Sequence, residues 1–441
     1  MISDKMKNLV ANNSAIRAMF EEGKRLASIY GEEKVFDYSL GNPNVEPPEN
    51  IKNIINEILS EESPNLVHGY MNNSGYEDVR DEISKFLNNK YKLDLSNENI
   101  IMTCGAAGGL NIMLKTLLNP GDEVITFAPY FGEYKHYVNN YDGNLVVVEP
   151  DTSTFEPNMD ALKEKITDKT KVVIINTPNN PTGVIYSDEA LKKLSSILEE
   201  KQKEFGSDIY LISDEPYREI VYDNAKVPCI LKYYKNSFIG YSYSKSLSLP
   251  GERIGYVVIN NEMKDFSDVK SSLNIANRVL GFVNAPSLFQ RVIARSLDAE
   301  VDVNIYKKNR DLLYDHLISL GFECLKPQGA FYLFPKTPIQ DDKKFCEDAK
   351  QFNLLLVPGS SFGCPGYIRI SYCVSYEQIK NSLPAFDKLM ALYKTKILSS
   401  LVILELSNSK IYFLFFPVSL MLSISSKSLL FILYKFTGPS I

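Results

Sequence analysis

Between Ile100 and Ile259 the chain carries seven short apolar runs: Ile100–Thr103, Glu123–Phe127, Leu145–Val148, Val172–Asn176, Ile209–Ser213, Phe238–Tyr241 and Tyr256–Ile259. Amphipathic stretches such as Leu110–Leu118 and Asp188–Lys203 lie between several of them. Short runs of this kind alternating with helical periodicity imply an α/β domain with a mostly parallel sheet flanked by helices. In such sheets a ligand sits beyond the carboxyl ends of the strands. Four segments fall there: Gly105 after the first run, Asn180 after the fourth, Asp214 after the fifth and Lys245 after the sixth.

The flanks follow other patterns. Ile16, Met19, Phe20, Ala27 and Tyr30 recur at helical spacing after Ser14, and Gly31 can stop that helix. A loop rich in proline and asparagine, Leu40-Gly41-Asn42-Pro43-Asn44, leads to Pro47-Pro48. From Val301 to about Lys394 a second alternating region predicts a helix over Val303–Leu320, a strand over Ala330–Phe334, a helix near Asp341–Phe352, a strand over Tyr367–Ser371 and a last helix. The 441 residues exceed what one core usually supports, so two or more domains are expected.

The loop chemistry is specific. Ser242-Tyr243-Ser244-Lys245-Ser246 sets one lysine among small hydroxyl residues, and Arg253 follows eight positions after the lysine. A desolvated lysine amine reacts near neutral pH, and an arginine can grip a phosphate with two parallel hydrogen bonds. Together they suggest a lysine carrying an aldehyde cofactor that bears a phosphate, which describes pyridoxal 5'-phosphate. Taken alone, the segment also fits a solvated turn.

Other segments supply the remainder of such a site. In Gly105-Ala106-Ala107-Gly108-Gly109 small residues let backbone N–H groups approach a phosphate at a helix N-terminus, although close helix packing explains them equally well. Asn176-Thr177-Pro178-Asn179-Asn180-Pro181-Thr182-Gly183 is a stiff loop that can hold an asparagine amide in one orientation. Asp214, in Asp214-Glu215-Pro216-Tyr217, can pair with a pyridine nitrogen or cap a helix. Phe131 offers a face for a ring or fills a core. Arg369, on the apolar strand Tyr367–Ser371, either points to solvent or grips a substrate carboxylate.

A net charge of −6 argues against a nucleic-acid surface and for a soluble protein of the cytosol. Six scattered cysteines without a Cys-x-x-Cys pair read as reduced thiols, and three distant histidines give no zinc pattern. The polar segment Met1–Val10 is no secretory signal.

In this order the segments resemble the class I/II aminotransferases of the aspartate aminotransferase superfamily, pyridoxal-phosphate enzymes of fold type I. The resemblance covers about Asn8 to Lys394 and rests most on Asn179–Gly183, Asp214–Tyr217 and the Ser-x-Ser-Lys run with Gly251-x-Arg253-x-Gly255. It implies that Lys245 carries the cofactor as a Schiff base and moves the 1,3-proton, giving ping-pong transfer from an L-amino acid to a 2-oxo acid. Asp214 would pair with the pyridine nitrogen, and Asn180 and Tyr217 would bond the ring's 3'-oxygen. Gly105, Ala106, Ala107, Ser242, Ser244 and Arg253 would hold the phosphate, and Phe131 would stack on the ring. Gly41, Asn180 and Arg369 would meet the substrate. Tyr70 looks like the tyrosine that reaches the neighbouring subunit's phosphate, which implies a homodimer.

The resemblance further implies a large cofactor-binding domain over 48–290. A smaller, mobile α/β domain would combine the N-terminal arm, 1–47, with 291–395. Aspartate with 2-oxoglutarate is the first expectation, and Asn284, Arg278 and Tyr70 are candidates for reading the side chain. A C–S β-lyase or another α-carbon enzyme of the same fold is the alternative, and a non-catalytic aminotransferase-like regulator a more distant one. Two features depart from the pattern. Alanines stand in the phosphate loop where some members have hydroxyl residues. Residues 396–441 form an atypical hydrophobic extension, with Ile411–Ser426 free of charge. That stretch is short of the roughly 20 apolar residues a spanning helix needs, so a poorly ordered extension is expected and a membrane tether is the alternative.

Overall fold

The structure, a computed structural model, describes residues 2–11 and 15–408. After a helix over Ala15–Tyr30 and the short strand β1 (Phe36–Asp37), the chain builds a seven-stranded sheet. Its strands are β2 (Ile100–Thr103), β3 (Glu123–Phe127), β4 (Asn144–Val148), β5 (Thr170–Asn176), β6 (Tyr210–Asp214), β7 (Ser237–Ser242) and β8 (Gly255–Ile259). They lie in the order β2-β8-β7-β6-β5-β3-β4. Only β8 runs against the rest, antiparallel to β2 and β7. All other pairings are parallel. Each strand lies within two residues of its expected run.

These strands read clearly because both faces of the sheet are covered. Side chains alternate between two cores: Ile100 and Met102, Val173 and Ile175, Tyr256 and Val258 pack on one face. Ile101, Val172, Ile174, Val257 and Ile259 pack on the other. Helices Asn50–Glu61, Glu77–Tyr91, Asp188–Phe205 and Ser287–Ala294 cover the first face, and Gly105–Leu117 and Phe266–Val279 cover the second. The carboxyl ends of β5, β6 and β7 therefore open on one edge, where Asn176, Asp214 and Ser242 are the last residues of their strands.

Two expectations are corrected. The helix anticipated at Leu110 begins at Gly105, so the small-residue run is itself its first turn. Glycine is a poor helix former, but here the absent side chain lets the helix lie close to the sheet: a Cβ on Gly109 would sit 3.0 Å from Val257. The expected strand Ala330–Phe334 pairs only over β9 (Tyr332–Leu333). Ala330 has φ +56°, outside the extended region, and Pro335 beyond the run has no N–H to donate.

The C-terminal region holds the predicted helix Val303–Leu320, capped by Asp302 and ended by Gly321 at φ +96°. β10 (Leu354–Leu355) pairs parallel with β1, and β11 (Val357–Pro358), β12 (Ile368–Ser371) and β9 form an antiparallel sheet. The N-terminal segment is tied in here: Tyr38 N–H donates to Leu355 O and Ser371 N–H to Tyr38 O. The last helix, Tyr376–Asn408, continues past Lys394. No helix among the described residues is long and apolar enough to cross a membrane. The expectations for Ile411–Ser426 and the remainder of the tail lie outside the described residues.

Candidate active site

A cavity of about 300 Å³ opens at the carboxyl edge of the sheet. It gathers residues from well-separated stretches of the chain. Gly41 comes from the N-terminal loop. Ala106, Ala107 and Phe131 come from the first part of the sheet domain. Asn180, Asp214, Tyr217, Ser242, Ser244, Lys245 and Arg253 follow, and Arg369 comes from β12. Two of the sequence-predicted site residues do not line it. Gly105 stands just behind, at φ +68°, where a Cβ would meet the Arg253 guanidinium at 2.8 Å. Tyr70 is 93% exposed. Asn284 and Arg278 do not line the cavity either. A larger cavity of about 900 Å³, walled by Tyr91, Arg218, Tyr241, Tyr243 and Tyr256, holds none of the predicted residues.

The Asn176–Gly183 loop owes its shape to its own amides. Asn176, at the end of β5, donates from Nδ2 to Asp214 O at 2.7 Å and accepts from the Asn180 N–H at 2.7 Å. Asn179 Oδ1 accepts from the N–H and hydroxyl of Thr182. Asn180 is thereby fixed to the neighbouring strand, and its Oδ1 accepts from Arg369 at 3.2 Å.

Asp214 is 4% exposed. Its Oδ2 accepts from the Tyr134 hydroxyl at 2.6 Å, while Oδ1 has no partner among the described residues. Burial pushes its pKa up to about 7, with the Tyr134 hydrogen bond acting against the rise and Glu215 adding to it. A buried acceptor left open costs free energy unless a ligand fills it. Phe131 meets the Tyr134 ring edge-on at 5.7 Å, so one tyrosine orders both the carboxylate and the aromatic face.

At the other end, Ala106 and Ala107, in the first turn of the helix beginning at Gly105, line the cavity together with Ser242, Ser244 and Arg253. The two serine hydroxyls lie 2.7 Å apart. Arg253, at φ +53°, is held by Pro250 O at 3.1 Å. A helix N-terminus, two hydroxyls and a guanidinium make a site for a phosphate.

The Lys245 amine donates to Gly41 O at 2.5 Å and lies 5.6 Å from the centre of the Phe331 ring. Its pKa is lowered to about 8, chiefly by burial, with Cys373 opposing the fall and Arg369 and Arg253 adding to it. We expect reductive methylation of Lys245 in cofactor-free protein to rise with pH through a midpoint near 8, followed by peptide mass spectrometry. An exposed lysine in the same sample keeps a midpoint near 10.4. Coincident midpoints for both would refute the shift.

Arg369 is 2% exposed and clamped between the rings of Tyr332, at 4.7 Å, and Phe362, at 4.9 Å. Besides Asn180 it donates to Ser39 O, and its Nε has no partner among the described residues. The alternative of a solvent-facing arginine is thus ruled out.

Sequence reasoning missed Tyr134, Tyr332 and the bracing role of Asn176. A tyrosine in an otherwise apolar setting is the available signal, because a buried phenol usually needs a partner for its hydroxyl.

These features fit pyridoxal phosphate: a phosphate cradle at one end, an open carboxylate oxygen at the other, and a neutralisable amine in the same cavity. Residues 33–386 match the family described as aminotransferase class I and II. A probable aspartate aminotransferase of Methanocaldococcus jannaschii is 32% identical over 395 residues, spanning 87% of this chain and 98% of that protein. The crystal structure of an amino transferase from Eubacterium rectale is 48% identical, with a TM-score of 0.87 over 89% of this chain and 99% of that one. The aspartate aminotransferase of Thermotoga maritima is 28% identical, with a TM-score of 0.78 over 88% of this chain and 100% of that one. Sheet order, cavity and sequence therefore agree, and the chain belongs to the class I and II aminotransferase family, with the fold of aspartate aminotransferases.

Proposed function

We propose that this aminotransferase uses pyridoxal phosphate and moves the amino group of an L-amino acid, aspartate first, to a 2-oxo acid such as 2-oxoglutarate. The carrying observation is that Lys245, Asp214, Arg253 and Arg369 share one cavity. Aspartate as donor is supported by the names of the Methanocaldococcus and Thermotoga relatives.

The cofactor, when bound, supplies an aldehyde for the amine and a pyridine ring that draws electrons from the substrate's α-carbon. Lys245 would hold it and would be the group that moves the proton at that carbon; an amine that is half neutral near pH 8 suits both roles. Asp214, with its open Oδ1, would pair with the ring nitrogen and favour its protonated form. Asn180 and Tyr217 would hold the ring's 3'-oxygen, Phe131 would cover its face, and Gly105, Ala106, Ala107, Ser242, Ser244 and Arg253 would bind the phosphate. Arg369 offers its two-nitrogen edge to the substrate carboxylate in exchange for Asn180 and Ser39, beside Gly41.

The exposure of Tyr70 supports a homodimer in which the partner subunit's Tyr70 completes the phosphate site. Side-chain amides hold the loop after Tyr70 in place for such a contact. Asn284 donates to Met71 O and Asn72 O, Asn277 to Asn73 O, and Asn73 to Val283 O. Val283 stands at φ +63°, a strained conformation for a β-branched residue. We assign 48–290 to the large domain and 1–47 with 291–395 to a smaller one that moves on substrate binding, and we place the enzyme in the cytoplasm.

The test is a panel of amino donors with 2-oxoglutarate. Aspartate is expected to give glutamate and oxaloacetate without ammonia, at the highest rate in the panel. Ammonia and pyruvate from a cysteine S-conjugate, with no glutamate formed from any donor, would replace transfer by β-elimination.

A further inference from the structure

Tyr332 is 1% exposed and sits in β9 opposite Ser371, in a stretch that reads as plain core. It nevertheless lines the cavity and touches three of the site's residues. Its hydroxyl lies 2.8 Å from that of Tyr217. The Arg369 guanidinium lies over its ring, 4.7 Å from the centre. A Cβ on Gly41 would come within 2.0 Å of its hydroxyl, so only glycine fits there.

Two phenols in one hydrogen bond share two protons, and only one of those protons lies in the bond. Among the described residues neither hydroxyl has another partner. The phenol that accepts keeps its own proton for a further acceptor. A cation over a ring face draws electrons from it, and Arg369 covers the Tyr332 ring. Tyr332 is accordingly the better donor of the two. Tyr217 then accepts, and its own O–H is left to point into the cavity.

We propose that Tyr332 is a positioning residue: its hydroxyl sets Tyr217 as a donor toward the cofactor's 3'-oxygen, and its ring braces Arg369 for the substrate carboxylate. This rests on the proposed function. It joins the cofactor end of the site to the carboxylate end through one side chain, and predicts that the two roles separate by substitution.

The experiment compares the wild type, Tyr332→Phe and Tyr332→Leu as holoenzymes, with the pH midpoint of the bound cofactor's visible absorbance as the first readout. Tyr332→Phe keeps the ring and loses the hydroxyl. Tyr217 then loses its fixed orientation, the cofactor oxygen is less well stabilised as an anion, and the cofactor holds its proton to higher pH. The midpoint is expected to rise by about half a unit to one unit and kcat to fall about tenfold, the scale of one hydrogen bond. KM for aspartate stays within about twofold, because the ring still supports Arg369. Tyr332→Leu keeps the midpoint shift and adds a rise of about tenfold in KM. A Tyr332→Phe variant with an unmoved midpoint and kcat overturns the proposal, even if it melts earlier, since a packing role alone leaves the absorbance unmoved. A wild type without any visible band sinks both this proposal and the functional reading; a normal wild-type band with an unmoved variant sinks only this one.

Discussion

Lys245→Ala is expected to lose at least about 10⁴-fold in transamination and to retain no cofactor after borohydride reduction and denaturation. Two roles disappear with one amine, and general acid–base work by itself is worth about 10²–10⁴-fold. Among the described residues no other amine lines the cavity. The remaining cations there, Arg253 and Arg369, are guanidiniums that do not give up a proton in proteins. Peptide mapping of the reduced wild type should place the pyridoxyl group on Lys245, and a coupled assay of the variant measures the loss. Turnover above about 1% of wild type would move the proton-transfer role to another residue.

Asp214→Asn is expected to separate stability from catalysis. Activity falls by about 10²–10³-fold or more, since an amide cannot hold the ring nitrogen in its protonated form. The cofactor-free variant, by contrast, is expected to melt later than the cofactor-free wild type at pH 8. The sign follows from the carboxyl's raised pKa, from 3.8 in the unfolded chain to about 7 in the fold. An acid whose folded pKa is raised costs no stability below the unfolded value. The cost grows as pH rises from about 4 to 7 and is constant above that. Asparagine removes the buried charge and still offers an oxygen to Tyr134. Scanning calorimetry at pH 8 should show a gain of a few degrees that vanishes near pH 4. A variant that melts earlier than wild type at pH 8 contradicts the buried-charge account.

The sequence showed the sheet more clearly than the site's supports. Strands such as Val172–Asn176 carry apolar residues toward both cores, so they stand out as unbroken apolar runs. The site residues were legible where chemistry sets them in distinctive company: Lys245 among serines, Asn180 between prolines, Asp214 at a strand end. Tyr332 was not, because Ala330-Phe331-Tyr332-Leu333-Phe334 is a run in which any hydrophobic residue would look at home. Its meaning comes from Tyr217, 115 positions away in the chain, and from Arg369 above its ring. Tyr134 was obscured in the same way, as one aromatic among Tyr130, Phe131 and Tyr137. The start of the helix at Gly105 was hidden by local propensity, which packing against Val257 overrides.

The backbone from Tyr38 to Gly41 runs carbonyl by carbonyl along the site: Tyr38 O accepts from Ser371, Ser39 O from Arg369, Leu40 O from Cys373 and Gly41 O from Lys245. The resting protein thus shields its own positive groups. A stray chloride or acetate meets cations that already have oxygen partners, and can displace those of only one cation at a time. On the proposed function the cofactor's aldehyde would take the amine from Gly41 and the substrate's carboxylate would take the guanidinium from Ser39 and Asn180, so each guest is admitted by a swap for an oxygen already in place.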